Sequence, residues 1–377
     1  MNDITLSKIL GLVGKLDDTP GENTPRERFR RFLNENIKEV GQIRDYIEEC
    51  LRNKGDQYNR ALQDLVNLIG SFLGFEVTYG RYQGKSGEIG FDGHWKSPTG
   101  FHIVVEVKTT EVYSVKTATL IGYVDQLISD KKIPNWESAM GLYIIGRPDP
   151  ELKQLRNAII AEKRYGQLRI ISVEALLTLA EMKSEYGISH EDILAIMRPS
   201  GPTIDPIIDL MNRLVVEKEV QVEPETEIMK KGSVCYWITP VKGENNTSAE
   251  EVIKRLVGEE GIYAFGERTP GRKEIKPGDW ICFYAAGVGV VAHARVKSKP
   301  KRKPHKKIQH PERYPWTFEL EETKLYTKDP VILNVNLRRK LDAFKNRDPE
   351  KYWAWFVQAT RKVSKHDFMV LTRQLED

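Results

Sequence analysis

The chain has 377 residues, 40% hydrophobic and 30% charged, with a formal net charge of +4. That length exceeds what one ordinary core serves, so two domains are expected, and the composition excludes disordered and fibrous classes. No run approaches the roughly 20 apolar residues that span a bilayer. The opening Met1-Asn2-Asp3-Ile4-Thr5 lacks the layout of a secretory leader, and Cys50, Cys235 and Cys282 offer neither zinc-ligand spacing nor a disulfide framework. A cytoplasmic protein without a membrane partner is expected.

After a short apolar helix and a Gly/Pro/Asp/Asn loop, apolar residues fall at Phe29, Leu33, Ile37, Val40, Ile43, Ile47 and Leu51. These steps of three or four predict one long amphipathic helix, capped by Thr24 with Pro25 in its first turn. Its stripe packs either on the following domain or on a second copy of the chain. A second helix is predicted from Tyr58 to Leu73, ending at Gly74. Strands follow at 75–79, 89–95 and 101–109, the first two separated by a turn through Gly84 and Gly87. A helix at 117–129, a strand at 141–145, a helix at 150–165, a strand at 168–172 and a helix at 173–182 complete an α/β pattern. Residues 192–216 read as a closing helix.

Glu217 to Glu227 is acidic, contains a Pro and has no helical stripe, which marks a domain boundary. Beyond it, short strands at 234–238, 261–265, 280–284, 289–296 and 318–326, with helices at 248–257 and within 349–359, predict a small barrel-like α+β domain. Between Lys297 and Lys307, seven of eleven positions (297, 299, 301, 302, 303, 306 and 307) are Lys or Arg, with no acid. Of these, Lys297, Lys299, Lys301, Arg302 and Lys303 are candidate contacts for a nucleic-acid backbone. A solvated basic loop is an equal alternative.

The chemistry concentrates in Gly90-Phe91-Asp92-Gly93 and His102-Ile103-Val104-Val105-Glu106-Val107-Lys108. Strand side chains alternate faces, so Glu106 and Lys108 share one face while Val107 points into the core. Asp92 and Glu106 can hold Mg²⁺ (or Mn²⁺), with the Val107 carbonyl in reach of the same ion, and Lys108 can polarise a water or stabilise an anionic transition state. Gln63 or Asp64, on the preceding helix, could join them. Such a triplet is more often a surface salt bridge; here the charged pair closes an apolar run, which is costly without a purpose.

Residues 56–182 resemble the PD-(D/E)xK nucleases, specifically the Mrr-like restriction endonucleases. The matching segments are Leu62-Gln63-Asp64-Leu65-Val66 through Val77, the Phe91-Asp92-Gly93 turn, Val105-Glu106-Val107-Lys108 and Leu168 to Leu176. The resemblance implies a restriction-endonuclease-like α/β domain with Asp92, Glu106, Lys108 and Gln63 in the catalytic site. Gln63 stands where relatives often carry Glu, and Phe91 stands where the motif's Pro would be. Asp125 and Gln126 fall where relatives place polar groups near the phosphate; a helix-surface role is equally expected.

In the C-terminal half, the segments Cys235-Tyr236-Trp237-Ile238-Thr239-Pro240, Lys276-Pro277-Gly278-Asp279-Trp280 to Tyr284, Gly287 to Ala292 and Tyr314-Pro315-Trp316-Thr317-Phe318 resemble the EVE domain of the PUA-like superfamily over about 232–375. Relatives there bind modified bases. The resemblance implies a pocket of Trp237, Tyr284 and Trp316 with Thr239 as a polar contact, although aromatics in a small β-domain also serve as plain core.

Together these readings predict a helical extension (1–55), a nuclease domain (56–216), an acidic linker (217–230) and a PUA-like base-reading domain (231–377). The expected protein is a modification-dependent restriction endonuclease that cuts double-stranded DNA near a modified base, a modified cytosine first among them, and works as a homodimer. A non-catalytic reader of modified nucleic acid and an RNA-processing nuclease are the alternatives.

Overall fold

The computed structural model describes residues 4–84, 90–108, 116–146, 151–198, 203–204, 207–208, 211, 234–243, 247–267 and 269–374. The chain divides into two compact units, 1–212 and 213–377. The acidic stretch expected as a linker, Gly87, and most of the helix expected over 192–216 lie outside the described residues.

Unit 1 is built on a five-stranded sheet: β1 (Glu76–Tyr79), β2 (Gly93–Lys96), β3 (His102–Lys108), β4 (Ala139–Ile145) and β5 (Leu168–Ser172), in that spatial order. The β1–β2 and β2–β3 pairs are antiparallel, and β3, β4 and β5 run parallel. Parallel strands need helical crossovers, so β3, β4 and β5 are buried on both faces. One face packs α1 (Leu6–Val13), α2 (Pro25–Asn36), α3 (Val40–Arg52), α4 (Asp56–Phe72), α7 (Val173–Tyr186) and α8 (His190–Met197); the other packs α5 (Thr117–Ser129) and α6 (Glu151–Ala161).

The single long helix expected from Pro25 to Leu51 is two helices. The chain turns extended at Ile37 and Glu39, and Glu39 forms a capping box with Gln42 that starts α3 afresh. The stripe nevertheless stays on one side: Phe29, Leu33, Ile37, Val40, Ile43 and Ile47 are all buried in one core with Trp95, Ile103 and Leu142. It is therefore used within this chain, not between two copies. No described helix is long and apolar enough to cross a membrane.

Unit 2 holds a seven-stranded sheet in the order β10 (Lys301–Arg302), β11 (Trp316–Leu325), β9 (Gly289–Val296), β8 (Trp280–Ala285), β6 (Tyr236–Val241), β12 (Arg361–Val363), with β7 (Ile262–Phe265) also pairing β11. Among the described residues no pairing joins β12 to β10, the two ends of this order. The predicted helix 248–257 is α-helical over Ala249–Ile253 and then widens into a π-helical stretch over Lys254–Glu259, and the one expected within 349–359 is a 3₁₀ turn, Trp353–Val357. Separate cores line the two faces of the sheet.

Candidate active site

Asp92 lies one residue before β2, and backbone bonds from both sides hold it there. Its N–H donates to the Val105 carbonyl (3.0 Å), and its own carbonyl accepts from Gly80 N (3.0 Å) and from Asn67 Nδ2 (2.9 Å). These approaches need glycine. A Cβ on Gly80 would lie 1.9 Å from the Phe91 carbonyl oxygen, and one on Gly93 would lie 2.0 Å from Asn67 Oδ1. With its backbone fixed, Asp92 turns its carboxylate to β3, where Oδ2 accepts from Val107 N (2.6 Å).

On β3, Glu106 Oε1 accepts from Lys108 Nζ at 2.5 Å while the Val107 side chain joins the core on the opposite face. The other oxygen, Glu106 Oε2, is buried with no hydrogen-bond partner among the described residues. A buried carboxylate oxygen left unmet is costly unless something outside the chain satisfies it. Burial first, and then the charge of Glu106, push the Asp92 carboxyl well above the usual carboxylate range; Val107 N–H and Lys108 pull it back. Burial likewise raises Glu106, with Lys108 opposing. Two carboxylates that resist ionising side by side are a donor set that a divalent cation relieves.

The two polar residues expected from α4 are bonded to other parts of unit 1. The buried Gln63 spends its amide N–H on the Arg81 carbonyl (2.9 Å). Asp64 is fully buried and committed to Arg30 of α2, whose Nε donates to both its oxygens at 3.1 Å, and to the Tyr82 hydroxyl. Arg30 also donates to the Gly80 carbonyl (2.9 Å), so α2 grips the residue whose N–H holds Asp92. The residue on α4 that does reach the site is Asn67, one turn after Gln63. It bonds the Asp92 carbonyl, and its Oδ1 accepts from Trp95 Nε1 (2.9 Å). A cleft of about 680 Å³ beside Arg30, Arg31, Asn34 and Tyr79 includes none of Asp92, Glu106 or Lys108.

From α5 the contributor is Tyr123. Its hydroxyl faces Gly90, where an added Cβ would lie 3.1 Å away, and burial together with the charges of Glu106 and Asp92 raises its phenol. Asp125 and Gln126 are exposed and occupied on the helix surface, Asp125 by Trp136 Nε1 (2.8 Å) and Gln126 by Asp130 (2.9 Å).

In unit 2 the structure sets Tyr284 apart from the other three expected pocket residues, and Trp316 packs at the edge of the core that holds Trp237. Trp237 is 1% exposed, belongs to the core on one face, and donates from Nε1 to the buried Asp279 (3.1 Å). Thr239 is buried and shares a hydroxyl bond with Thr360 (2.7 Å). Tyr284 is buried in the core on the opposite face. Strand alternation gives the reason: β6 and β8 pair with Pro240 opposite Tyr284, which puts Trp237 and Thr239 out of phase with Tyr284. Trp316 alone is half-buried at the surface, and β10 brings part of the basic run to it, with Arg302 its register partner. Lys297 and Arg302 are ion-paired with Glu319 and Glu267, while Lys299, Lys301 and Lys303 are exposed with no acidic partner among the described residues.

No protein-family model matches the chain, and no curated protein matches it. Among solved structures, it is similar to the restriction endonuclease FokI bound to DNA, with 17% identity and a TM-score of 0.29 over 44% of this chain and 31% of that one. A second FokI structure gives 19% identity and a TM-score of 0.29 over 45% and 32%. The chain spans about a third of the FokI chains it matches. A TM-score this low leaves the chemistry to the site itself.

Proposed function

We propose that this chain is a metal-dependent endonuclease in which unit 1 hydrolyses a DNA phosphodiester and unit 2 holds the nucleic acid. The observation that carries the proposal is the buried Asp92–Glu106 pair beside Lys108, with Glu106 Oε2 unmet among the described residues. Asp92, Glu106 and the Val107 carbonyl would hold Mg²⁺ or Mn²⁺, which supplies an activated water and charge neutralisation at the phosphate. Glu106 Oε1 fixes the Lys108 ammonium, so that its remaining N–H groups can donate to the attacking water or to the developing phosphorane oxygens. Asn67 and Gly80 set the position of Asp92. Gln63 enters as a neutral neighbour of the site.

The finer reading is that unit 2 selects DNA carrying a modified base, a modified cytosine first among them. Trp316 would be the residue that meets the base, and Lys299, Lys301, Arg302 and Lys303 would meet the backbone. Cutting both strands requires two such sites, which a homodimer would supply. The test is digestion of matched plasmids carrying unmodified, methylated, hydroxymethylated or glucosylated cytosine, with Mg²⁺ or Mn²⁺. Asp92→Ala and Lys108→Ala should each lower cleavage by about 10³-fold or more while binding in Ca²⁺ persists. Cutting retained by both variants would sink the assignment.

A further inference from the structure

Unit 2 holds one of its own carboxylates where an outside anion fits. Glu267, two residues past β7, accepts from three donors carried by three different segments. They are the Trp316 indole N–H on β11 (2.8 Å), Arg272 Nη1 from the loop after β7 (2.7 Å) and Arg302 Nε on β10 (3.0 Å). The Arg272 guanidinium also lies over the Trp316 ring, 4.1 Å from its centroid. Arg272 is set in place, its side chain only 11% exposed, and Arg302 and Trp316 are register partners on the β10–β11 ribbon, with β7 paired to the other edge of β11. The ribbon is further pinned by Lys303 N to the Pro315 carbonyl (2.9 Å) and by the Thr317 hydroxyl to the Lys303 carbonyl (2.8 Å). Glu267 is 52% exposed and Arg302 67%, so the carboxylate can leave the buried Arg272 without disturbing the core. Its three donors hold it ionised, with a pKa lowered to about 2, the Trp316 N–H contributing most.

Two guanidinium groups and an indole N–H converging on a pair of oxygens form a donor set suited to a phosphodiester. A backbone phosphate offers two non-bridging oxygens and one negative charge, as a carboxylate does, so the exchange leaves the local charge unchanged. The surroundings favour a polyanion over a single free ion, because Lys299, Lys301, Lys303 and Lys306 are exposed with no acidic partner among the described residues. We propose that Glu267 is a resident stand-in for a nucleic-acid backbone phosphate, which displaces it from Arg272 and Arg302 when a strand docks on the β10–β11 ribbon. The proposal rests on the reading of unit 2 as the nucleic-acid-holding part. Its consequence is a threshold: a ligand must outcompete an internal carboxylate, which disfavours weak, non-specific binding.

The test measures binding of a labelled DNA duplex to the full chain in Ca²⁺ across a salt series, for wild type, Glu267→Gln, the pair Arg272→Ala/Arg302→Ala and the pair Lys301→Ala/Lys303→Ala. Glu267→Gln should bind about three- to tenfold tighter, with a salt slope steeper by about 0.9, because in wild type the freed carboxylate takes up a counterion as the strand docks. The arginine pair should bind about tenfold weaker or worse. The indole ¹⁵N–H signal of Trp316 should move on adding DNA to wild type and start displaced in Glu267→Gln, a readout independent of affinity. If Glu267→Gln binds no tighter while the lysine pair binds weaker, the surface holds nucleic acid but the displacement proposal is overturned. If neither the lysine pair nor Glu267→Gln changes affinity, the reading of unit 2 fails and takes this proposal with it.

Discussion

The two units treat their candidate functional residues in opposite ways. In unit 1, Asp92 and Glu106 are buried together and raised in pKa, and Glu106 Oε2 has no partner among the described residues. In unit 2, Trp237 and Thr239 are buried with their polar atoms bonded to Asp279 and Thr360, inside a packed core. Burial is common to both; satisfaction is what differs. A fold that leaves a charged pair under-coordinated has stability to gain from a ligand there, whereas one that completes a tryptophan's contacts has used that tryptophan to stand up. Of the four pocket candidates in unit 2, Trp316 is the one left half-buried at the surface, stacked by Arg272.

The sharpest way to break this contrast is Trp237→Ala. As a core residue it should cost about 3–5 kcal/mol, read as a large fall in the melting temperature of unit 2. Unchanged melting combined with lost discrimination between modified and unmodified DNA would return Trp237 to the base site. Next comes Asn67→Ala, which strips a buried partner from the Asp92 carbonyl and from Trp95 Nε1 and should cost about 1–3 kcal/mol. Its informative readout is the Mg²⁺ concentration for half-maximal cutting, which should rise. An unchanged metal requirement would confine Asn67 to a packing role.

The smallest effect is a pH dependence. The folded-state pKa of Asp92 is raised from the ordinary 3.8, so the stability tied to it is fully present below that value. It is lost as pH rises through the raised value. In metal-free buffer at pH 8, Asp92→Asn should therefore melt about 2–5 °C above wild type. Added Mg²⁺ should raise wild type and leave the variant where it is. Equal responses to Mg²⁺ in the two proteins would show that the ion binds elsewhere.

What could be read from the sequence was what local periodicity carries. The alternation along β3 set Glu106 and Lys108 on one face and Val107 on the other, and their contact follows from that alone. The helix ending at Gly74 was legible through its stripe and its glycine. Asn67 was within reach of the same reasoning, since it sits one helical turn from Gln63 on the face that meets β2. The break at Ile37–Glu39 was hidden because both halves keep one apolar stripe, and the Glu39–Gln42 capping pair lacks the usual Ser or Thr. Tyr123, the Arg30–Asp64 pair and the opposite facing of Trp237 and Tyr284 depend on contacts distant in sequence and on strand register, which no local pattern encodes.

The grip of Arg30 on Asp64 and on the Gly80 carbonyl bears on how portable unit 1 is. A fragment trimmed to residues 56–216 would keep every residue of the sequence motif, yet leave Asp64 buried without its cation and Gly80 without its clamp. The first 55 residues are part of the inheritance of the candidate site. Any fusion, truncation or transplant of unit 1 has to carry them along.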